Sequence, residues 1–400
     1  LQNKSSSKVN RGERELSEKD LLEMPKGLRP GEWFILEDQL ARKNYIGYIN
    51  PYAESFYKIK ILKEDSSKKY NTKSDEEAVA KEIIVANLQA AFRKRDFFID
   101  YQSGARLVYG MNDSLAGIIV DKYEKYIFAQ INTAGMDRFR DLIKSEIEKK
   151  YPNQKVLFFD NLEYRKAEVL PIHEPEKIAE DLDIVENGLR YKIPQTVVQK
   201  IGYYYDHREN RAKLSSLLTR TTFAKKTGLD LFSYVGSWGL HMLKAGVENV
   251  EFVDQGNMEE TTMSHLNLNN FQGRGSFTRA DVFKFLDTAL ASGKKYDVIV
   301  SDPPAFTKSE KNKIMALQGY EKLHLKAMRL LSDEAIMVVA SCTHHVNYEE
   351  LDKTVQEAAL KNSQKVHLLD LGAQGFDHPF SGFKDKSFYI KYLVYSVCRG

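Results

Sequence analysis

The stretch "GLDLFSYVGSWGLHMLKAG", residues 228–246, decides how the second half of the chain is read. GLDLF is a short apolar run of strand length, and SWGLHMLKAG carries apolar residues at helical spacing. A turn with Gly236 joins them. Reading outward, the alternation continues. VENVEFVDQ (247–255) reads as a strand, MEETTMSHLNLNNF (258–271) as a helix and SFTRADVF (276–283) as a strand into a turn. YDVIVSDPP (296–304) is a strand, YEKLHLKAMRLL (320–331) a helix, AIMVVASCT (335–343) a strand and YEELDKTVQEAAL (348–360) a helix. Strands separated by helices predict a mostly parallel, doubly wound α/β sheet.

In such a sheet the ligand lies at the carboxyl ends of the strands. Asp230 falls in the first strand, Asp254 ends the second and Asp281 follows the third. Gly236 and Gly239 would let the turn and helix start approach a ligand closely. Asp254 sits where an acid accepts hydrogen bonds from a ribose diol. The turn lacks the second glycine of a GxGxxG fingerprint, which argues against a dinucleotide pyrophosphate. A ribosyl cofactor without phosphate fits better, and S-adenosylmethionine is the obvious one. The plainer reading of these residues is turns and helix caps.

The fourth strand ends in Asp302-Pro303-Pro304. Each proline fixes φ and removes an N–H, and Pro303 keeps Asp302 out of the helical region. The loop therefore offers acceptors and few donors, which suits holding an exocyclic amino group. Phe306 is a candidate for stacking on a base. Cys342 ends the fifth strand at the same edge, followed by Thr343, His344 and His345. A strand cysteine is usually a small buried hydrophobe, but this one lies at the ligand end beside imidazoles that would favour its thiolate. The histidine pair has no evident third ligand, so no metal is expected. C5 of cytosine is a poor nucleophile. A thiolate adding at C6 makes it reactive, whereas methylating an amino nitrogen needs no cysteine. Cys342 therefore separates the two chemistries.

Upstream the pattern differs. Residues 1–27 are polar and are expected to form a partly ordered tail. Residues 28–78 alternate short aromatic and β-branched runs with turn signals and read as a small β-rich domain. Residues 79–185 read as a central α+β module, and 186–400 as the α/β domain. The chain of 400 residues is long for one domain. It has 42% hydrophobic and 29% charged residues, ordinary for a globular protein. No apolar run reaches membrane-spanning length, and the polar start has no signal core. Two cysteines argue for a reducing, cytoplasmic setting. A net charge of +3 permits a nucleic-acid partner without demanding one.

The segments "QKIGYYYDHRENR" (199–211), "LDLFSYVGSWGLHMLKAG" (229–246), "DVIVSDPPAF" (297–306), "ASCTHHV" (340–346) and "DHP" (377–379) stand in the order found in the RlmI-like, class I S-adenosylmethionine-dependent methyltransferases. The type member of that family methylates C5 of a cytosine in 23S ribosomal RNA. "RLVYGMNDSLAGIIVDKY" (106–123) resembles the family's central module, and the N-terminal part its PUA domain, an RNA-binding β-barrel. The resemblance spans roughly residues 28–398. It implies a Rossmann-like methyltransferase domain behind a small α+β module and a PUA-like barrel, a ribosomal RNA substrate, and no membrane partner. It also leaves room for a homodimer.

Position by position, the resemblance puts Cys342 in the nucleophile's place and Asp302 in that of the base-binding acid. The cofactor candidates are Phe232, Tyr234, Gly236, Asp254, Gln255, Asp281, Val282, Lys200 and Arg208. The substrate candidates are Pro303, Pro304, Phe306 and Tyr204. The chain departs from the family where Ile201 and Val235 each replace a hydroxyl, where Gly256 replaces a serine, and in lacking a recognisable aromatic His-Pro-Trp segment. Two rival readings stand beside this one: a methyltransferase acting on an amino group of adenine or guanine, and an RNA-binding assembly factor with a vestigial cofactor fold.

Overall fold

The computed structural model describes every residue except 67–68, 71–74, 99–100, 102, 175, 199–201, 308, 384, 386 and 400; the side chain of residue 198 also lies outside the description. The chain divides into two compact units, Leu1–Glu180 and Asp181–Gly400.

The first unit holds two four-stranded sheets. In one, β1 (Glu15–Leu16), β2 (Glu32–Asp38), β3 (Lys43–Ile49) and β4 (Ile59–Asp65) run antiparallel in the order β1-β4-β3-β2. Its edges are β1 and β2. It is an open sheet, and no closed barrel is seen among the described residues, in contrast to the expected PUA-like barrel. The other sheet orders β5 (Ala105–Tyr109), β6 (Ile118–Lys122), β7 (Tyr126–Ile131) and β8 (Lys155–Phe158) in sequence, with only the last pair parallel.

The helix Glu76–Asp96 begins at Asp75, which accepts from the amides of Glu77 and Ala78. Acids fill its first turn and bases its last, complementing the helix dipole. Ile83, Ile84, Leu88 and Phe92 share one apolar core with Trp33, Ile46 and Tyr48 of the first sheet and Val108, Ile118 and Ile127 of the second. The Trp33 indole donates to Gly135 O at 3.1 Å, and the Tyr48 hydroxyl to Ala116 O at 3.0 Å. This packing runs straight across the boundary expected at residue 78.

The expected polar tail is also built in. Asn3–Asn10 is helical, and Glu15–Leu16 joins β4. Asp20 accepts from Ser5 Oγ (2.6 Å), Lys8 Nζ (2.9 Å) and both the amide and hydroxyl of Ser17 (2.9 and 2.7 Å). A buried carboxylate with four donors holds its segment in place, which composition alone does not reveal.

The second unit opens with a hairpin of β9 (Leu182–Glu186) and β10 (Leu189–Ile193). Its main sheet contains β11 (Thr227–Leu231), β12 (Asn249–Asp254), β13 (Gly275–Arg279), β14 (Tyr296–Ser301), β15 (Leu331–Ser341), β16 (Gln364–Gly372) and β17 (Lys391–Arg399). Their order is β13-β12-β11-β14-β15-β17-β16. The first five pair in parallel, and β17 and β16 close the far side antiparallel. Leu229, Leu231, Val298, Ile299, Val300, Met337, Val338 and Val339 are fully buried. That is the continuous apolar reading of strands covered by helices on both faces.

The doubly wound sheet is thus as expected, while β16 and β17 extend it beyond the strands read from sequence. Strand order reverses between β11 and β14, and that switch point is where ligands bind in such sheets. No described helix is long and apolar enough to cross a membrane.

Candidate active site

Four loops meet at the carboxyl ends of β11, β12, β14 and β15. After Ser301 the chain turns through Asp302, half-buried, Pro303, buried, and Pro304, exposed. Asp302 Oδ2 accepts the Trp238 indole N–H at 2.9 Å, and Oδ1 lies 3.7 Å from His207 Nε2. Trp238 is stacked on Tyr392, their ring planes 3° apart, and meets His207 edge-on at 5.3 Å. The acid is therefore positioned by an aromatic wall rather than by its own loop alone.

Cys342 follows the last residue of β15. Its Sγ lies 3.9 Å from Pro303 O, so the thiol and the acid loop are direct neighbours. A buried hydroxyl cluster fastens the two loops. The Tyr320 hydroxyl bonds Ser341 Oγ and Thr343 Oγ1, each at 2.8 Å, and Thr343 Oγ1 accepts the Phe306 amide at 3.3 Å. Burial, then the charges of Asp302 and Asp206, push the thiol up to about 12, against an opposing pull from Lys391. In the free protein at neutral pH the sulfur is protonated.

Asp206 lies under the same region. Burial pushes its carboxyl up, but His207, His378 and the Tyr389 hydroxyl outweigh burial and hold it below its ordinary value. The Tyr389 hydroxyl donates to it at 2.7 Å, and the Tyr389 ring stacks on His344. His345 pairs with Glu310 at 2.9 Å. Tyr204 is 48% exposed and meets Tyr234 edge-on. Burial, Asp206, Cys342 and Asp302 together push its phenol up to about 12.

On the β11–β12 side, Asp254 Oδ2 accepts the Tyr234 amide at 3.0 Å and Oδ1 the Gly256 amide at 2.7 Å. The turn above it is strained. Phe232 (φ 61°) and Tyr234 (φ 48°) are both left-handed, as is Gly236 (φ 82°). Such non-glycine residues cost about 1–3 kcal/mol each and mark functional turns. Asp230, fully buried, accepts the Gly239 amide at 2.8 Å. Burial chiefly, with Asp302 and Asp254 adding, pushes its carboxyl up to about 8.

Gly239 does not serve close approach to a ligand, as the sequence suggested. A Cβ there would lie 2.1 Å from Phe252 Cε1, so this glycine lets the helix Ser237–Lys244 pack on β12.

The structure brings Cys342, Asp302, Pro303, Pro304 and Tyr204 together, and next to them, through the Tyr204–Tyr234 ring contact, Phe232, Tyr234, Gly236 and Asp254. Gln255 is exposed next to Asp254. Asp281 is exposed and caps the helix Val282–Ala291 by accepting the Lys284 amide. Three expected contacts have side chains directed elsewhere. Val282 is buried in the sheet core. Arg208 is 3% exposed, 3.7 Å from Glu186 and over the Tyr205 ring. The Phe306 ring packs on Tyr320 at 4.5 Å. Lys200, with Ile201, lies outside the described residues. Sequence reasoning missed Trp238, His207, Asp206, Tyr389 and Lys391. For Lys391 a signal existed in the β-branched and aromatic run YLVYSV that follows it.

Comparison with known proteins bears on this arrangement. The family described as S-adenosylmethionine-dependent methyltransferase matches residues 162–369. Ribosomal RNA large subunit methyltransferase I of Aeromonas salmonicida (strain A449) is 32% identical over 332 residues, 80% of this chain and 81% of its own. The protein of the same name from Shewanella frigidimarina (strain NCIMB 400) is 30% identical over 330 residues, 80% of this chain and 82% of its own. Among solved structures, a chain assigned as a SAM-dependent methyltransferase from Streptococcus mutans superposes with a TM-score of 0.75 at 20% identity, covering 99% of this chain and 98% of that one. A methyltransferase structure complexed with SAH also reaches 0.75 at 20% identity, covering 98% and 97%.

Proposed function

Since the chain belongs to the S-adenosylmethionine-dependent methyltransferases, among relatives named ribosomal RNA large subunit methyltransferase I, we propose that it methylates C5 of a cytosine in 23S ribosomal RNA through a covalent adduct on Cys342. The observation that carries this reading is the Cys342 sulfur 3.9 Å from Pro303 O, in the acid loop itself. Methylation of an amino nitrogen would use the acid and prolines but leave that sulfur without a task.

The β11–β12 side fits the cofactor. Each Asp254 oxygen takes one backbone N–H, leaving lone pairs for a ribose diol. The buried Ser233 hydroxyl, without a hydrogen-bond partner, lies in the same strained turn. Phe232, Tyr234, Gly236 and Asp254 would hold the cofactor, with Gln255 and Asp281 flanking. Bound there, S-adenosylmethionine supplies an electrophilic methyl group.

The protein's own residues do the rest. Asp302, fixed by Trp238, grips the amino edge of the cytosine. Cys342 passes its proton to water and forms a bond to C6, and the C5–C6 double-bond electrons make C5 nucleophilic. Once C5 carries the methyl group, water, His344 or His345 takes the C5 proton, the double bond re-forms and the S–C6 bond breaks, returning the Cys342 thiolate. Asp302 couples binding to activation. A hydrogen bond from the base spreads its charge, which removes part of what keeps the thiol protonated.

A cytosine paired in an RNA helix must first be unstacked, and exposed Tyr204 offers a ring in the region of Cys342 and Asp302. The small β-sheet of the first unit, where the family resemblance implies RNA binding, is the candidate surface for the surrounding RNA.

Nucleoside mass spectrometry of large-subunit RNA methylated by the protein tests the reading. 5-Methylcytosine is expected. A methyl group on an exocyclic nitrogen would replace it with the amino-methylation reading.

A further inference from the structure

We propose that Lys391 is the counter-charge of the Cys342 thiolate, a positioning residue that acts on the reaction through the sulfur. The inference rests on reading Cys342 as the nucleophile.

Lys391 is 1% exposed, at the start of a strand whose next residues, Tyr392, Leu393, Val394 and Tyr395, are all buried. Cross-strand register pairs it with Ser341, the residue before Cys342. Its Nζ donates to the carbonyl of Thr343, the residue after Cys342, at 2.7 Å, and to that of Tyr389 at 2.8 Å. The ammonium is therefore held on the backbone that immediately follows Cys342.

Both acceptors are neutral, and among the described residues Lys391 makes no ion pair with a carboxylate. A buried ammonium without a counter-ion is expensive, and an apolar residue would suit the strand better unless the charge has a use. Burial pushes Lys391 down to about 8, and the two groups that pull it back up are Cys342 first and Glu350 second. Glu350, on the helix Tyr348–Lys361, is itself paired with Lys313 at 2.7 Å.

The other groups facing the sulfur explain the need. Asp302 after β14 and Asp206 before the helix Arg208–Thr219 both oppose a thiolate. The phenols of Tyr204 and Tyr320 are neutral, each pushed up to about 12 by burial first and partly by Cys342 itself. The imidazoles of His207 and His344 are turned to Asp302 and to the Tyr389 ring. Lys391 is the group whose positive charge favours ionisation of the thiol.

Alkylation of the full-length protein by iodoacetamide, without RNA or cofactor, tests the pairing. The rate at Cys342 is followed against pH by peptide mass spectrometry, with Cys398 as the internal control. Lys391→Gln keeps a donor for the two carbonyls and removes the charge. Its Cys342 is expected to react about tenfold more slowly below about pH 8, where Lys391 carries its charge, with the difference shrinking as Lys391 loses its proton above that pH. Lys391→Arg, which keeps the charge, should restore most of the rate. A Lys391→Gln profile superimposable on wild type overturns the proposal.

The readout does not require methyl transfer, so this inference and the cytosine-C5 reading fail separately.

Discussion

In the proposed reaction Cys342 and Asp302 work against each other until a base is present. The acid raises the thiol, and burial raises it further. Asp302→Asn keeps an acceptor for the Trp238 indole and removes the charge, so the thiol pKa falls. The expected result is faster alkylation of Cys342 at pH 8, by about tenfold, together with methylation reduced by about 10²-fold or more. Rates of both reactions on one preparation check this. Asp230 offers a second test. An acid whose folded pKa is raised stabilises the fold while protonated. Its contribution is full below the ordinary value of 3.8 and is lost as pH rises through about 8. Asp230→Asn should therefore gain thermal stability over wild type as pH climbs from 5 to 8, read as the difference between their two melting profiles. At this scale the sequence revealed those residues whose neighbours in the chain announce them: Asp302 before two prolines, Cys342 and Asp254 at strand ends. It hid those defined by distant partners. Trp238 reaches Asp302 across 64 residues and Tyr389 reaches Asp206 across 183. For Lys391 the run YLVYSV announces a buried strand, but not the backbone carbonyls that hold the ammonium.

The elements that carry the site are the turns after β11, β14 and β15. The helix Ser237–Lys244 packs so closely on β12 that Gly239 leaves no room for a Cβ against Phe252. Gly239→Ala should cost about 1–3 kcal/mol by overpacking, measured by denaturant unfolding, and Phe252→Leu in the same chain should recover part of it. The central parallel strands β11, β14 and β15 were legible because burial on both faces leaves a continuous apolar run. The antiparallel pair was not. Strand β16 lies at the sheet edge with His367, Leu368 and Leu369 exposed in a row and its register shifted between Leu368 and Asp370, so it shows no clean strand periodicity. The first unit's β-rich pattern was also legible. Whether such strands close into a barrel depends on which edges pair, a long-range choice that local alternation does not encode.

At the scale of the molecule, the proposed function puts catalysis in the second unit and offers the first unit's sheet as a surface for RNA. Mild net charge means that RNA affinity comes from local contacts to phosphate, so binding to large-subunit RNA should weaken steadily between 50 and 200 mM salt. Filter binding or anisotropy measures the slope, and affinity independent of salt would contradict a phosphate-tracking surface. The central claim is that the intact protein joins its RNA through one sulfur, and trapping on RNA containing 5-fluorocytosine in the presence of S-adenosylmethionine tests it most directly. Fluorine at C5 blocks the final elimination, so wild type should form a covalent protein–RNA adduct stable to denaturation, and Cys342→Ala should form none. Wild type that methylates its natural RNA yet leaves no adduct on the fluorinated one would contradict the account.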